Sequence, residues 1–139
     1  MKNELQSQAL EKNWGFFYGR RDFQNLEADN LDVEKTYLFL DPVKRKNLKG
    51  NTGAVYAIRY RGHFMLLRKS SLDNKYAGDI DTKYEKHIEP LEVDLDSLEA
   101  SLIGCDVDYD VDWESTEIIN VFNENMDGLI VNYTITHTL

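Results

Sequence analysis

Polar and apolar residues alternate most strictly around residue 110. Val107, Tyr109, Val111 and Trp113 interleave with Asp106, Asp108, Asp110 and Asp112. A period of two marks a strand with one buried face. The four aspartates are therefore expected in water and their neighbours in the core, because a slip of one residue would invert both sets. Two more strands are predicted over 116–122 and 129–138, joined by the turn-forming run 123–128. In the last strand Leu129, Val131, Tyr133, Ile135 and His137 share one face. Upstream, residues 36–40 are apolar on both faces and are closed by Asp41-Pro42. Residues 55–60 and 63–69 are strand-like, and Arg61-Gly62 between them predicts a tight hairpin turn, since Gly62 is free to adopt positive φ. Residues 44–53 then read as a basic, glycine-flanked loop.

Helical spacing occurs in three places. Leu5, Ala9 and Leu10 predict a short helix within residues 3–14. Thr82 and Glu85 have capping-box spacing, and Pro90 is expected to kink or end the helix they open. Another helix is expected from Asp94 or Asp96. Leu91, Leu95, Leu98 and Leu102 form one apolar stripe, which reads as core, and Gly104 stands in the C′ place. No helical segment sits in a tidy βαβ unit. The predicted fold class is α+β, an antiparallel or mixed β-sheet with helices packed on one face. No repeat, low-complexity tract or linker divides the chain, so residues 1–139 are expected to form a single domain.

Composition adds a polarity to this picture. Net charge is −9. Residues 1–69 hold 13 Lys/Arg against 8 Asp/Glu, while residues 70–139 hold 3 against 17. The acidic half is expected to repel nucleic acid, which is held through Lys/Arg contacts to phosphate. Such asymmetry is either a solubility device or an interaction signal. Cys105 is the one cysteine, which excludes an internal disulfide and fits a reducing compartment. No apolar run has the length of a membrane span, and none follows the first residues as a signal peptide would.

Candidate chemistry is sparse. Asn123, Asn125, Asp127 and Gly128 match the opening positions of a calcium loop, but Thr134 stands where the bidentate acid belongs, and a turn explains the same residues. The row Asp106, Asp108, Asp110, Asp112 reads as a solvated strand face, as a surface for a basic partner, or, third, as a divalent-ion site. His63, His87 and His137 are scattered, with no ligand spacing, and read as surface or structural histidines. No nucleophile elbow, Walker loop or dinucleotide fingerprint is present. No enzymatic activity, cofactor or metal is expected. The basic run Lys44, Arg45, Lys46, Lys49, extended by Arg59, Arg61, Arg68 and Lys69, is a candidate handle for an acidic protein surface.

Several strings carry a family likeness. Phe16-Phe17-Tyr18-Gly19-Arg20 follows the N-terminal helix, an apolar strand follows at 36–40, and the chain closes on Gly128-Leu129-Ile130-Val131-Asn132-Tyr133-Thr134-Ile135-Thr136-His137. In size and element order the chain resembles the tail terminator (tail-completion) proteins of lambda-type tailed phages, small α/β proteins that ring the end of the tail tube. Head–tail neck and connector rings are similar too. The resemblance implies a structural virion protein, assembled in the host cytoplasm as a homo-oligomeric ring at the head–tail junction or tail end. Its partners would be tail-tube, portal or neck proteins, with DNA passing through without sequence-specific contact. In such a ring the basic run at 44–49 is expected to meet the aspartate row of a neighbour, with Phe16, Phe17 and Tyr18 supplying apolar contact. The alternative is a monomeric acidic adaptor or immunity-type binding protein.

Overall fold

A computed structural model describes residues 1–19, 31–32, 35–69, 87–121 and 126–139. These form, in chain order, α1 (Lys2–Glu11), β1 (Gly15–Tyr18), β2 (Thr36–Leu40), β3 (Lys44–Lys49), β4 (Val55–Lys69), α2 (Glu89–Ile103), β5 (Tyr109–Val121) and β6 (Met126–Thr138). The strands make one sheet in the order β1-β2-β4-β6-β5, and β3 pairs with the part of β4 that β2 leaves free. β1 runs parallel to β2, and the other pairings are antiparallel. Both helices pack on one face, so the fold is α+β with a mixed sheet, as expected.

The largest departure from expectation lies in β4. Its 15 residues run unbroken through Arg61-Gly62, where a hairpin turn was expected. Gly62 pairs with Tyr133, and a Cβ on it would stand 2.8 Å from the Tyr133 hydroxyl. The glycine makes room for a ring rather than for a turn. The turn falls at 50–54 instead. Gly50 N–H donates to the Ala54 carbonyl at 2.9 Å, Gly53 N–H donates to the Gly50 carbonyl at 3.0 Å, and Gly53 has φ of +81°. That is a three-residue hairpin loop closed by a left-handed glycine. In consequence residues 44–49, expected as a loop, are strand β3. β2 and β3 form one arm of the hairpin, broken at Asp41-Pro42-Val43, where proline has no N–H for the ladder.

Pro90 occupies the first turn of α2, where its missing N–H is harmless, so the helix expected from Asp94 or Asp96 already runs from Glu89. The stripe Leu91, Leu95, Leu98, Leu102 is buried, as its spacing requires. Gly104 caps α2 with φ of −83°, so no left-handed C′ residue is used. With Leu5 and Ala9 of α1, the stripe meets Leu38, Leu40, Phe64, Leu66, Leu129, Val131, Tyr133 and Ile135 of the sheet. Leu10 stays exposed, although its spacing suggested burial. A smaller cluster on the opposite face joins Leu31, Tyr37, Phe39, Leu67 and Met126. It explains why all of β2 is buried.

The alternation near residue 110 has the expected phase. Asp106, Asp108, Asp110 and Asp112 are exposed, and Tyr109, Val111 and Trp113 pack half-buried against the main cluster. Trp113 meets Phe64 edge-on at 5.9 Å. β5 is one strand where two were expected, and it begins at Tyr109, so Asp106 and Asp108 precede it. The polar stretch at 70–81, the capping box at Thr82 and Glu85, and the calcium-like Asn123 and Asn125 lie outside the described residues.

The Gly62–Tyr133 packing gives a test. Gly62→Ala is expected to destabilise by about 1–2 kcal/mol through overpacking. The Tyr133 hydroxyl is buried with no hydrogen-bond partner among the described residues, so Tyr133→Phe is expected to be neutral or stabilising. In the Tyr133→Phe background much of the Gly62→Ala loss should vanish, as a double-mutant cycle in urea would measure. Additive losses would contradict this packing.

Candidate functional site: a charge-divided sheet face

Cross-strand register fixes which side chains share the sheet face opposite the helices. Lys44 pairs with Arg61, Arg61 with Thr134, and Thr134 with Asp112. One row along, Lys46 pairs with Arg59, Arg59 with Thr136, and Thr136 with Asp110. Directly paired residues point to the same face. Beyond the smaller apolar cluster this face is therefore striped: cations on β3 and β4, threonines on β6, carboxylates on β5. With strands ~4.8 Å apart, Arg59 and Asp110 stand ~10 Å apart with a threonine between them, and among the described residues no ion pair joins the two stripes.

The cationic stripe is concentrated. Lys44, Arg45, Lys46, Arg59 and Arg61 line one depression of about 200 Å³. Lys44 faces Arg61 and Lys46 faces Arg59 directly across the ladder, which is unfavourable for like charges. The Arg59 Nε is buried with no hydrogen-bond partner among the described residues. Among the basic candidates named from the sequence, Arg68 is placed apart. It donates to Thr36 Oγ1 at 3.1 Å and pairs with Asp94 at 3.4 Å on the helical face. Thr36 in turn donates to Asp94 at 2.6 Å. These residues border a second hollow of about 410 Å³ with Lys12, Asn13, Trp14 and Lys35, in which the Lys12 ammonium donates to Ser97 and Ser101.

The acidic stripe on β5 comprises Asp110 and Asp112, continued by Glu114 on the same face. Asp106 and Asp108 flank it just before the strand. Among the described residues no three His, Cys, Asp or Glu side chains are grouped closely enough to hold a metal ion. Phe16 and Phe17 are committed within the chain: Phe16 packs against the main cluster, and Phe17 stacks on Phe39 at 5.0 Å. Tyr18 is exposed.

One pairing was missed by sequence spacing. His63 Nε2 pairs with Asp41, a buried carboxylate at the break between β2 and β3. The two lie 22 positions apart and become ladder neighbours only because the hairpin turns at 50–54; Asp41 N–H donates to the His63 carbonyl at 3.2 Å. With the turn misplaced at Gly62 the pair was invisible. His137 packs beside Tyr109, and His87 is buried just before the start of α2. Burial pushes the Tyr133 phenol far above its ordinary range, with Tyr18 and Asp41 adding to the shift, so this hydroxyl is no proton donor or base near neutrality. Cys105 is half-buried, its thiol donating to the Leu102 carbonyl. Among the described residues no helix is long and apolar enough to cross a membrane.

Because the cationic stripe opposes folding, Lys46→Glu, which places a carboxylate opposite Arg59, is expected to raise the melting temperature by about 2 °C at low salt. The gain should fade in 1 M salt. A melting temperature that falls at low salt would show that the stripe carries no internal repulsion. Neither a protein-family model nor a curated protein sequence matches the chain.

Proposed function

We propose that the chain is a ring-forming structural subunit of a tailed phage particle, a tail terminator or neck component. The observation that carries this reading is the division of one open sheet face into a cationic stripe on β3–β4 and a carboxylate stripe on β5. A protein bearing both signs on separate strands is complementary to another copy of itself. Like-charge crowding within each stripe is relieved by a partner of opposite sign, and among the described residues the chain's own stripes form no ion pair with each other. The size and element order that suggested the tail terminator proteins support the same reading. Lining of a DNA channel by the acidic surface belongs to this proposal.

Self-association is the test. Light scattering of the purified protein at ~50 mM salt should give a defined mass of several subunits. Because steering between exposed charges is screened within a few ångströms at high salt, the mass should fall toward the monomer near 1 M. A monomer at every salt and protein concentration would reject the ring and favour the monomeric adaptor or immunity-type protein.

A further inference from the structure

We propose that the subunits of this ring join by strand addition: β3 of one copy pairs antiparallel with β5 of the next, and the sheet continues across the boundary. This contact presupposes the ring reading and names the surfaces that make it.

Both strands present open edges. β1 covers the outer edge of β2 but stops at Tyr18, the partner of Leu40, where Gly19 N–H donates to the Leu40 carbonyl. Past that point no strand among the described residues covers the outer edge of β3. β5 ends the sheet on the other side, and among the described residues the one strand beside it is β6. Unpaired strand edges are templates for another strand.

The hydrogen-bond alternation identifies the groups on offer. Leu139 N–H donates to the Tyr56 carbonyl, and Asp41 N–H donates to the His63 carbonyl. Even-numbered residues of β4 therefore bond toward β6 and odd-numbered ones toward β2 and β3. Lys44, Lys46 and Leu48 turn their backbone groups inward, and Arg45, Asn47 and Lys49 turn theirs outward. On the far side Thr138 N–H donates to the Asp108 carbonyl. Even-numbered residues of β5 thus bond to β6, which leaves the N–H and C=O of Val111, Trp113 and Ser115 facing out, while the Tyr109 N–H turns back to the Val107 carbonyl at 3.0 Å.

Charge decides which edges meet. β3 carries Lys44, Arg45, Lys46 and Lys49, whereas β5 carries Asp110, Asp112, Glu114 and Glu117 and no Lys or Arg. Pairing β3 with β3, or β5 with β5, opposes like charges; pairing β3 with β5 opposes unlike ones. The favoured contact is therefore head-to-tail, the kind that closes rings, rather than two-fold. Direction agrees. β5, β6, β4 and β3 alternate in direction across the sheet, so a neighbour related by rotation about an axis along the strands brings β5 antiparallel to β3. The open faces then stay continuous, and with Arg45 paired to the neighbour's Ser115 and Asn47 to its Trp113, Lys46 stands across from Glu114 on the face that also carries Asp110 and Asp112. Exposed Tyr18, where the covered edge ends, adds apolar surface at the junction.

Asn47→Pro and Ser115→Pro test the contact. Each exposed residue points its N–H outward, so each proline removes a donor from the outer edge and no bond within the chain. Each variant alone should keep the parent's circular dichroism and melting temperature and need roughly tenfold more protein, or greater still, to assemble. Mixed, the two should form a dimer with one copy of each and nothing larger, since only the junction of intact β3 with intact β5 survives. If the parent forms rings and both variants do too, strand addition is overturned while the ring stands. A monomeric parent overturns both. Normal assembly of Asn47→Pro beside failure of Ser115→Pro would indicate a two-fold β5 contact and overturn the head-to-tail arrangement. Amide exchange on the parent gives a reading independent of variants: the Asn47 and Ser115 amides should slow at least roughly tenfold on assembly, and unchanged rates overturn the contact.

Discussion

The sheet depends on β4 staying extended through Gly62. That strand borrows both of its edges: β6 satisfies its even-numbered backbone groups along the whole length, and β2 and β3 divide the odd-numbered ones between them. A backbone in the interior keeps its polar groups only if each finds a partner. Breaking β4 at its centre would therefore strip bonds from three neighbours at once. The absence of a side chain at Gly62 lets Tyr133 lie flat across the strand, and Tyr133 then carries the packed layer on to Phe64, at 5.8 Å between ring centres. The leucine stripe of α2 docks on that layer.

Two-sided burial at one end of the sheet and one-sided burial at the other follow from the same strand. Near Leu66 and Leu67 the face opposite the helices is covered by Phe17, Tyr37, Phe39 and Met126. Toward Arg59 and Arg61 that cover stops, and the residues on the face become charged or hydroxylated. The change of character occurs along β4 where β2 gives way to β3. The Asp41–His63 pair sits at this point and anchors the irregular Asp41-Pro42-Val43 step to its neighbour. Among the described residues the site is thus an extension of the core sheet beyond its second layer, held by ladder bonds and by helices on one side.

Local periodicity was legible where each residue's environment repeats. The Val107–Trp113 alternation and the leucine stripe were read in the correct phase, and the fold class followed from them. Glycine was read wrongly because its meaning is tertiary. Gly62 satisfied the local rule for a turn, yet its partner is an aromatic ring 71 positions away; Gly53 held the real turn within a run that looked like basic loop. The start of α2 was placed too late, at Asp94 or Asp96, because Pro90 fits the first turn of a helix as well as a break in one. The charge asymmetry between halves was visible, but its arrangement was not. Seeing that Lys46 and Asp110 share a face requires the order β3-β4-β6-β5, which no local pattern encodes.

That arrangement bears on how an exposed sheet avoids indiscriminate pairing. Charged side chains on edge strands normally block association. Here the two open edges carry opposite signs, so the same device forbids like edges from meeting and leaves one combination permitted. The charges need not supply the affinity, since exposed ion pairs contribute only ~0–1 kcal/mol each and weaken with salt. Ladder bonds between the outward backbone groups are directional and depend little on side-chain identity, so they are suited to holding the contact once it forms. Charge is then left to select the partner strand and its alignment, because a shift of one residue would move Lys44 and Lys46 to the helical face and away from the carboxylates of β5. The crowding of Lys44 against Arg61 and Lys46 against Arg59 is unfavourable for an isolated subunit. In the proposed assembly the same crowding would favour a neighbouring strand of opposite sign.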